Sequence, residues 1–473
     1  MIRVRRMVVA VTLPIVLSLL SCSDGDTAQP TAPATKVQVP DDGTGLKAIQ
    51  DNDPSPDAIS VEIDAKETTL TYGTSPPTKV WTYNGTIPGP LIEAKVGDSI
   101  KVHFTNHLPE ATSIHWHGVR LPASMDGTML GQDPVNPGES FDYEFTFKDE
   151  GLFWFHPHMH TDIQVQMGLY GVIRVRGQNE PAVDDERVVV LDDIKLNPDG
   201  TVYDYLDDMS RMMGREGKLI LLNGKVTPTQ KFLPGSLVRL RLVNAANGRF
   251  FNLSAPGVTW RVIGTDGGLI PKPHDQDRLL IAPGERYDVL VRMPSKVGKI
   301  QLTDEAYDRG HDSGTAAPLE VATWSIEGET VPQQLAMPET GPSIERLSAG
   351  ETYFTARLNE KDTPDGVVFT INDQTFPNVP PVNVPDGSVK TYVVKNESEM
   401  DHPFHLHGFF FQVVSRNDIP EPADALMNKD TIILPAKQSL KLVTRFDEKG
   451  GWVYHCHILE HAELGMVGVI NVQ

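Results

Sequence analysis

The sequence predicts an all-β chain of three Greek-key β-sandwiches, and three observations predict it. Strand-length segments alternate with period two: Ile100, Val102 and Phe104 interleave with Lys101, His103 and Thr105, and Val238, Leu240 and Leu242 with Arg239 and Arg241. Successive strand side chains point to opposite faces, so this pattern marks half-buried strands. One unit also recurs about every 140 to 150 residues, close to the length of a typical domain. Finally, 39 Gly and 37 Pro in 473 residues, without any sustained helical period, fit many short strands joined by turns. With 39% hydrophobic and 22% charged residues, the chain can fill several cores and is not disordered.

In chain order, residues 1–22 have a basic start (Arg3, Arg5, Arg6), an apolar run from Met7 to Leu20 and then Ser21-Cys22. The run is short for a bilayer and is expected to be an export signal. A Cys directly after it resembles a bacterial lipobox, so Cys22 is the expected site of lipid anchoring, in the periplasm or at the cell surface. Residues 23–57, rich in Asp, Thr, Pro and Ala, are the expected tether. Three domains are expected at 58–180, 181–340 and 341–473. In each, a turn pair (Asn84-Gly85, Asn223-Gly224, Asn372-Asp373) precedes a second turn and a strand ending in Asn106, Asn244 or Asn396.

The first and third copies match best. Phe147 to His158 aligns with Phe446 to His457 without a gap, setting His156-Pro157-His158 against His455-Cys456-His457, and Leu169 later stands where Met466 does. Ten of the fifteen histidines fall in four clusters: His115-Trp116-His117; His156-Pro157-His158; His402-Pro403-Phe404-His405-Leu406-His407; and His455-Cys456-His457 with His461. Histidines two apart on a strand share a face and can offer two imidazoles to one metal. Four such pairs give eight donors, too many for a mononuclear centre. The remaining set of His402, Cys456, His461 and Met466 suits a trigonal blue-copper site with a weak axial thioether. It also explains a free thiol in an exported chain, since Cys456 has no useful disulfide partner.

With these four clusters in this order, and with Tyr83-Asn84-Gly85 and Pro88-Gly89-Pro90 upstream, the chain from about Ile59 to Gln473 resembles the three-domain multicopper oxidases of the bacterial laccase type. The resemblance implies four copper ions per chain. It assigns His402, Cys456 and His461 to a type 1 copper with Met466 axial, His115 and His405 to a type 2 copper, and His117, His156, His158, His407, His455 and His457 to a type 3 pair. It further implies that the middle domain is a copper-free spacer, that Asp126 is an acid serving the trinuclear cluster, and that dioxygen is reduced to water. The family's second acid falls on Ala462 here, and Glu463 is the expected stand-in.

His103, His107, His160, His274 and His311 are expected to be solvated, Trp154 and Trp452 to be core, and Met209, Met212 and Met213 to belong to an amphipathic packing segment. Oxidation of phenols or aromatic amines is the expected activity. Oxidation of cuprous, manganous or ferrous ion is the alternative, disfavoured by the lack of Met in Tyr307 to Pro318; a copper-binding or copper-free scaffold is a third reading. Beyond the signal, 39 basic residues face 63 acidic ones, which excludes nucleic acid as a partner and leaves the membrane reachable only through the anchor. A monomer is expected.

Overall fold

The computed structural model describes residues 43–473, apart from 205, 312, 314–316, 333 and 334. The expected signal, Cys22 and the tether up to residue 42 lie outside the described residues. Among the described residues no helix is long and apolar enough to cross a membrane.

Six sheets make three sandwiches. In the first, Thr78–Tyr83, Ala58–Leu70, Ser99–Asn106 and Ser140–Thr146 form one sheet in that order, and Leu91–Lys95, Gly171–Arg176, Gly151–His156 and His115–His117 form the other. The middle sandwich has seven-stranded and five-stranded sheets, and the last has six-stranded and five-stranded ones. The only helices longer than a 3-10 turn among the described residues are Thr161–Gln166, Asp208–Met213 and Leu459–Glu463.

The sequence repeat has a physical basis in two asparagines per unit. Asn84-Gly85, Asn223-Gly224 and Asn372-Asp373 all have positive φ at both positions, the backbone of a type I′ hairpin turn. Each first Asn also bridges to the preceding long strand: its Oδ1 accepts from the backbone N–H of Asp64, Val190 or Arg357, and its Nδ2 donates to the carbonyl of Glu62, Val188 or Thr355. The strand-ending Asn106, Asn244 and Asn396 repeat a second scheme. Each donates from Nδ2 to two carbonyls (Glu110 and Val135; Arg249 and Ile281; Met400 and Leu434) and accepts from the backbone two residues on. These side chains satisfy backbone groups that sharp loops would leave unpaired, which costs about 1–3 kcal/mol per buried group.

Apolar packing then sets which domains meet. One continuous core runs through the first and third sandwiches, from Ile59 and Trp116 to Trp452 and Ile470, whereas the middle sandwich closes around its own core with Trp260 and Trp324. Trp154, expected in a core, packs with Leu152, Val190 and Leu459 in a smaller cluster where the three domains approach. The expected tether is docked in its described part: Leu91 N–H donates to Lys47 O, Ile49 N–H donates to Leu91 O, and Asn223 Nδ2 donates to Thr44 O. Residues 43–50 therefore strap the first domain to the second.

Candidate metal centres

Strand pairing brings the histidine pairs together. His115–His117 lies antiparallel to Gly151–His156 with His115 opposite His156, and His402–Leu406 lies antiparallel to Gly450–Cys456 with His405 opposite His455. The two half-sites face each other across the contact of the first and third domains. His115 stacks on His407 and His117 on His405, each at 3.8 Å between ring centres, and His158 lies 5.4 Å from His455.

Four rings of the array are anchored on their outer side by a backbone carbonyl. His115 Nδ1 donates to Asp126 O (2.9 Å), His156 Nδ1 to Pro157 O (2.8 Å), His405 Nδ1 to Asp430 O (3.0 Å) and His455 Nδ1 to Cys456 O (2.8 Å). Such a bond fixes the tautomer and leaves the other nitrogen as a bare lone pair. Those inner atoms, Nε2 of His115, His156 and His405 and Nδ1 of His117, are buried without a hydrogen-bond partner. Nε2 of His407 and of His455 point at each other across 3.1 Å. Buried acceptors converging without donors are costly in a protein core and are what a metal cluster requires. Burial, reinforced by neighbouring imidazoles, pushes His117, His156, His407, His455 and His457 well below the usual histidine range and His158 down to about 3. All stay neutral at physiological pH, the form that binds metal.

Two buried carboxylates hold the array. Asp126 Oδ2 accepts from His407 Nδ1 at 2.8 Å while its carbonyl accepts from His115, so this acid of the first domain orients a ring of each half-site. It caps the 3-10 turn Ala123–Met125, and a Cβ on the following Gly127 (φ 82°) would lie 2.0 Å from Ile114 O. Asp126-Gly127 is thus both a turn and a support. Sequence reasoning missed the second acid, Asp430, whose Oδ1 lies 3.2 Å from His117 Nε2. Burial acts to raise its pKa, but the Arg286 guanidinium outweighs burial and holds it below the carboxylate range.

A second cluster forms at the same end of the strand Gly450–Cys456, around the residue that follows His455. Cys456 Sγ is 3.4 Å from His402 Nδ1 and 3.5 Å from His461 Nδ1, and those nitrogens are 3.2 Å apart, all buried. His402 Nε2 is anchored on Ser398 Oγ (2.8 Å), and Phe369 stacks on His461 at 3.6 Å. Met466 is fully buried beside this group: its carbonyl accepts from Cys456 N–H and its N–H donates to His461 O. Burial pushes the Cys456 thiol up, so without metal it is protonated. Leu169 is likewise fully buried in the first domain.

Glu463 Oε1 accepts from Thr161 N–H at 2.7 Å, tying helix Leu459–Glu463 to helix Thr161–Gln166. The neighbouring Glu460 is fully buried, with Oε1 accepting from Arg215 (2.9 Å) and Asn247 (2.8 Å). His103 pairs with Asp142 and the exposed His160 has left-handed backbone, outside the metal-like groups. Met213 packs as expected, but Met209 is 69% exposed. The Met212 carbonyl accepts from His461 Nε2 at 3.0 Å, a contact no side-chain pattern could signal.

Multicopper oxidase family profiles match residues 64–180, 187–336 and 346–473, nearly the whole described chain. The chain belongs to the multicopper oxidase family. Multicopper oxidase MmcO of Mycobacterium tuberculosis is 32% identical over 427 residues, 81% of each chain, and a laccase of Bacillus stratosphericus is 28% identical over 84% of this chain and 91% of its own. Among solved structures, a multicopper oxidase from Campylobacter jejuni described as a metallo-oxidase superposes with a TM-score of 0.82 at 29% identity, covering 93% of this chain and 98% of its own. This multicopper oxidase is accordingly a copper-dependent, laccase-like oxidoreductase with dioxygen as electron acceptor.

Proposed function

We propose that this multicopper oxidase takes electrons singly from phenols or aromatic amines, and that His402, Cys456 and His461, with Met466 beside them, would hold the type 1 copper that accepts them. Three further coppers would be held by the histidine pairs, a type 2 ion on His115 and His405 and a type 3 pair on His117, His156, His158, His407, His455 and His457, where they would supply electrons for reducing dioxygen to water. When bound, the four ions supply one-electron acceptance at the first site and the four electrons that dioxygen needs at the second. The observation that carries this reading is the set of bare, buried imidazole nitrogens converging from two domains.

The protein's own part is connection, anchoring and protons. Cys456 ends its strand between His455 and His457 in the chain, and His455 Nδ1 also bonds the Cys456 carbonyl, so the two sites are joined by a few covalent bonds and a hydrogen bond. Asp126 holds His407 and His115 in place and is a buried carboxylate beside both half-sites, placed to deliver a proton.

The metal-ion alternative draws on helix Asp208–Met213: Met212 O covers His461 Nε2, so a bulky ring cannot touch the imidazole edge, whereas Met209, three residues earlier on that helix, is exposed and offers a soft donor to a small ion. Copper analysis, a visible spectrum and oxygen uptake with a phenol and with cuprous ion decide. About four coppers per chain, a blue band and faster uptake with the phenol support the first reading; uptake with cuprous ion alone selects the second, and little copper with no uptake after reconstitution overturns both. We also propose a monomer, exported and lipid-anchored at Cys22, supported by the pattern of residues 1–22. Cys22→Ser should then move the protein from the membrane fraction to the soluble one.

A further inference from the structure

The middle domain supplies no metal ligand in this assignment, yet one of its turns is pressed into the trinuclear site. Residues 283–286 follow the strand Leu279–Ile281 and open the strand Arg286–Arg292. Gly284 has φ 84°, and a Cβ there would lie 2.9 Å from the His457 ring and 3.1 Å from His117 Cε1. The backbone of the turn therefore touches one ring of the first domain and one of the third, and only glycine lets it come so close.

Two residues further on, the fully buried Arg286 reaches across all three domains. Its Nη1 and Nη2 form a fork on Asp430 Oδ1 and Oδ2 (2.6 and 2.5 Å), its Nε donates to Leu152 O on the strand that ends in His156, and Nη2 also donates to Asp266 O in its own domain. Asp430 in turn meets His117 Nε2 through Oδ1 and His405 Nδ1 through its carbonyl. Thr431 completes the bracket, with Oγ1 3.0 Å from both rings. Room for the guanidinium exists because the residue after His117 is Gly118, where a Cβ would lie 2.2 Å from Arg286 Nη2 and 2.8 Å from Asp430 Oδ2. Asp266 closes the frame from the middle domain: Oδ1 accepts from Arg286 N–H, and Oδ2 accepts from Asp430 and Thr431 N–H.

We propose that Arg286 is a positioning residue for the trinuclear cluster, setting the orientation of His117 and His405 through Asp430, so that the middle domain is a working wall of the site and not a spacer. The fork is the reason for arginine: two parallel N–H groups fix the plane of the carboxylate, whereas the point charge of a lysine leaves that plane free to turn. Tilting the plane moves the acceptor from His117 and shifts the backbone that anchors His405.

The inference rests on the ligand assignment proposed above, and the experiment separates the two. The copper-loaded wild type is measured first by metal analysis and electron paramagnetic resonance, beside Arg286→Lys and Arg286→Met. The expected result is a wild type with type 1 and type 2 signals, and variants whose blue band and type 1 signal persist while type 2 copper is lost. Loss of such an outer hydrogen-bonding partner weakens metal affinity by about 10- to 100-fold. Arg286→Lys retains the buried charge and should lose type 2 copper less completely; it carries the test if Arg286→Met does not accumulate. A type 2 signal of unchanged intensity and hyperfine splitting in either folded variant overturns the inference, even if melting temperature falls. A wild type without a type 2 signal overturns the ligand assignment and this inference with it.

Discussion

Cys456 does two jobs at the level of a single residue: it is the soft donor of one buried triad and the chain segment between two imidazoles of the other site. Cys456→Ser should abolish the blue band and oxygen uptake while leaving the far-ultraviolet spectrum of a β-protein intact; a variant that is still blue sinks the type 1 assignment. Met466 predicts a subtler effect. Leu fills nearly the same volume, and such swaps usually cost less than about 1.5 kcal/mol, so Met466→Leu should stay folded and blue but show a raised reduction potential, because removing a donor disfavours the oxidised ion. An unchanged potential in a redox titration would remove Met466 from the site. For Asp126→Asn, the expectation is a retained type 1 spectrum with oxygen reduction slowed about 100-fold or more, read by stopped-flow reoxidation.

Among the elements, helix Asp208–Met213 lies directly against His461. Asp207 caps it by accepting from Ser210 N–H at 2.6 Å, and Gly214 at φ 76° ends it, leaving Met212 O over His461. Replacing residues 208–213 by a short Gly-Ser linker should raise kcat/KM for a bulky phenol about tenfold or more, equivalent to about 1.4 kcal/mol of barrier. No gain, measured beside cuprous ion as control, would mean that the helix does not gate the ring edge. This element also shows where sequence reading stops. The sandwiches were legible because period-two strands and Asn-Gly turns are local signals, and the histidine pairs because a spacing of two on a strand fixes a shared face. Asp430 and Arg286 carry no such mark: they lie 144 residues apart, and Asp430 reaches His117 only through a fold that joins positions 313 residues apart. Met212 acts through a backbone carbonyl, which every residue has.

For the whole molecule, neutral buried histidines tie stability to acidity. Burial lowers nine of them: His117, His156, His158, His402, His405, His407, His455, His457 and His461. A group with a depressed folded pKa contributes stability that is present above its ordinary value of 6.5 and is lost as pH falls toward the folded value, about 3 for His158 and His402. Each can cost up to about 1.4 kcal/mol per pH unit in that window. Carboxylates raised by burial, among them Asp193 and Asp304 at about 6, act the other way, since their contribution is lost as pH rises, but carboxylates held down by arginines, such as Asp430 and Glu186, add to the loss on acidification. The copper-free protein should therefore melt at progressively lower temperature from pH 6.5 toward 3, and His158→Gln should make that dependence shallower; a flat or opposite trend would contradict the neutral array.

The division of the histidine array between the two ends of the chain also dictates an order of events during biogenesis. Domains emerge and fold from the N-terminus at about 5–20 residues per second, so the half carrying His115 to His158 waits tens of seconds before His455 and His457 are made. Neither half is a complete receptacle during that interval. Copper delivered to a growing chain would meet only open imidazole pairs, so loading belongs after the last strand has closed on the first domain. Removal of residues 455–473 would then yield a chain whose middle domain is whole but which retains neither centre.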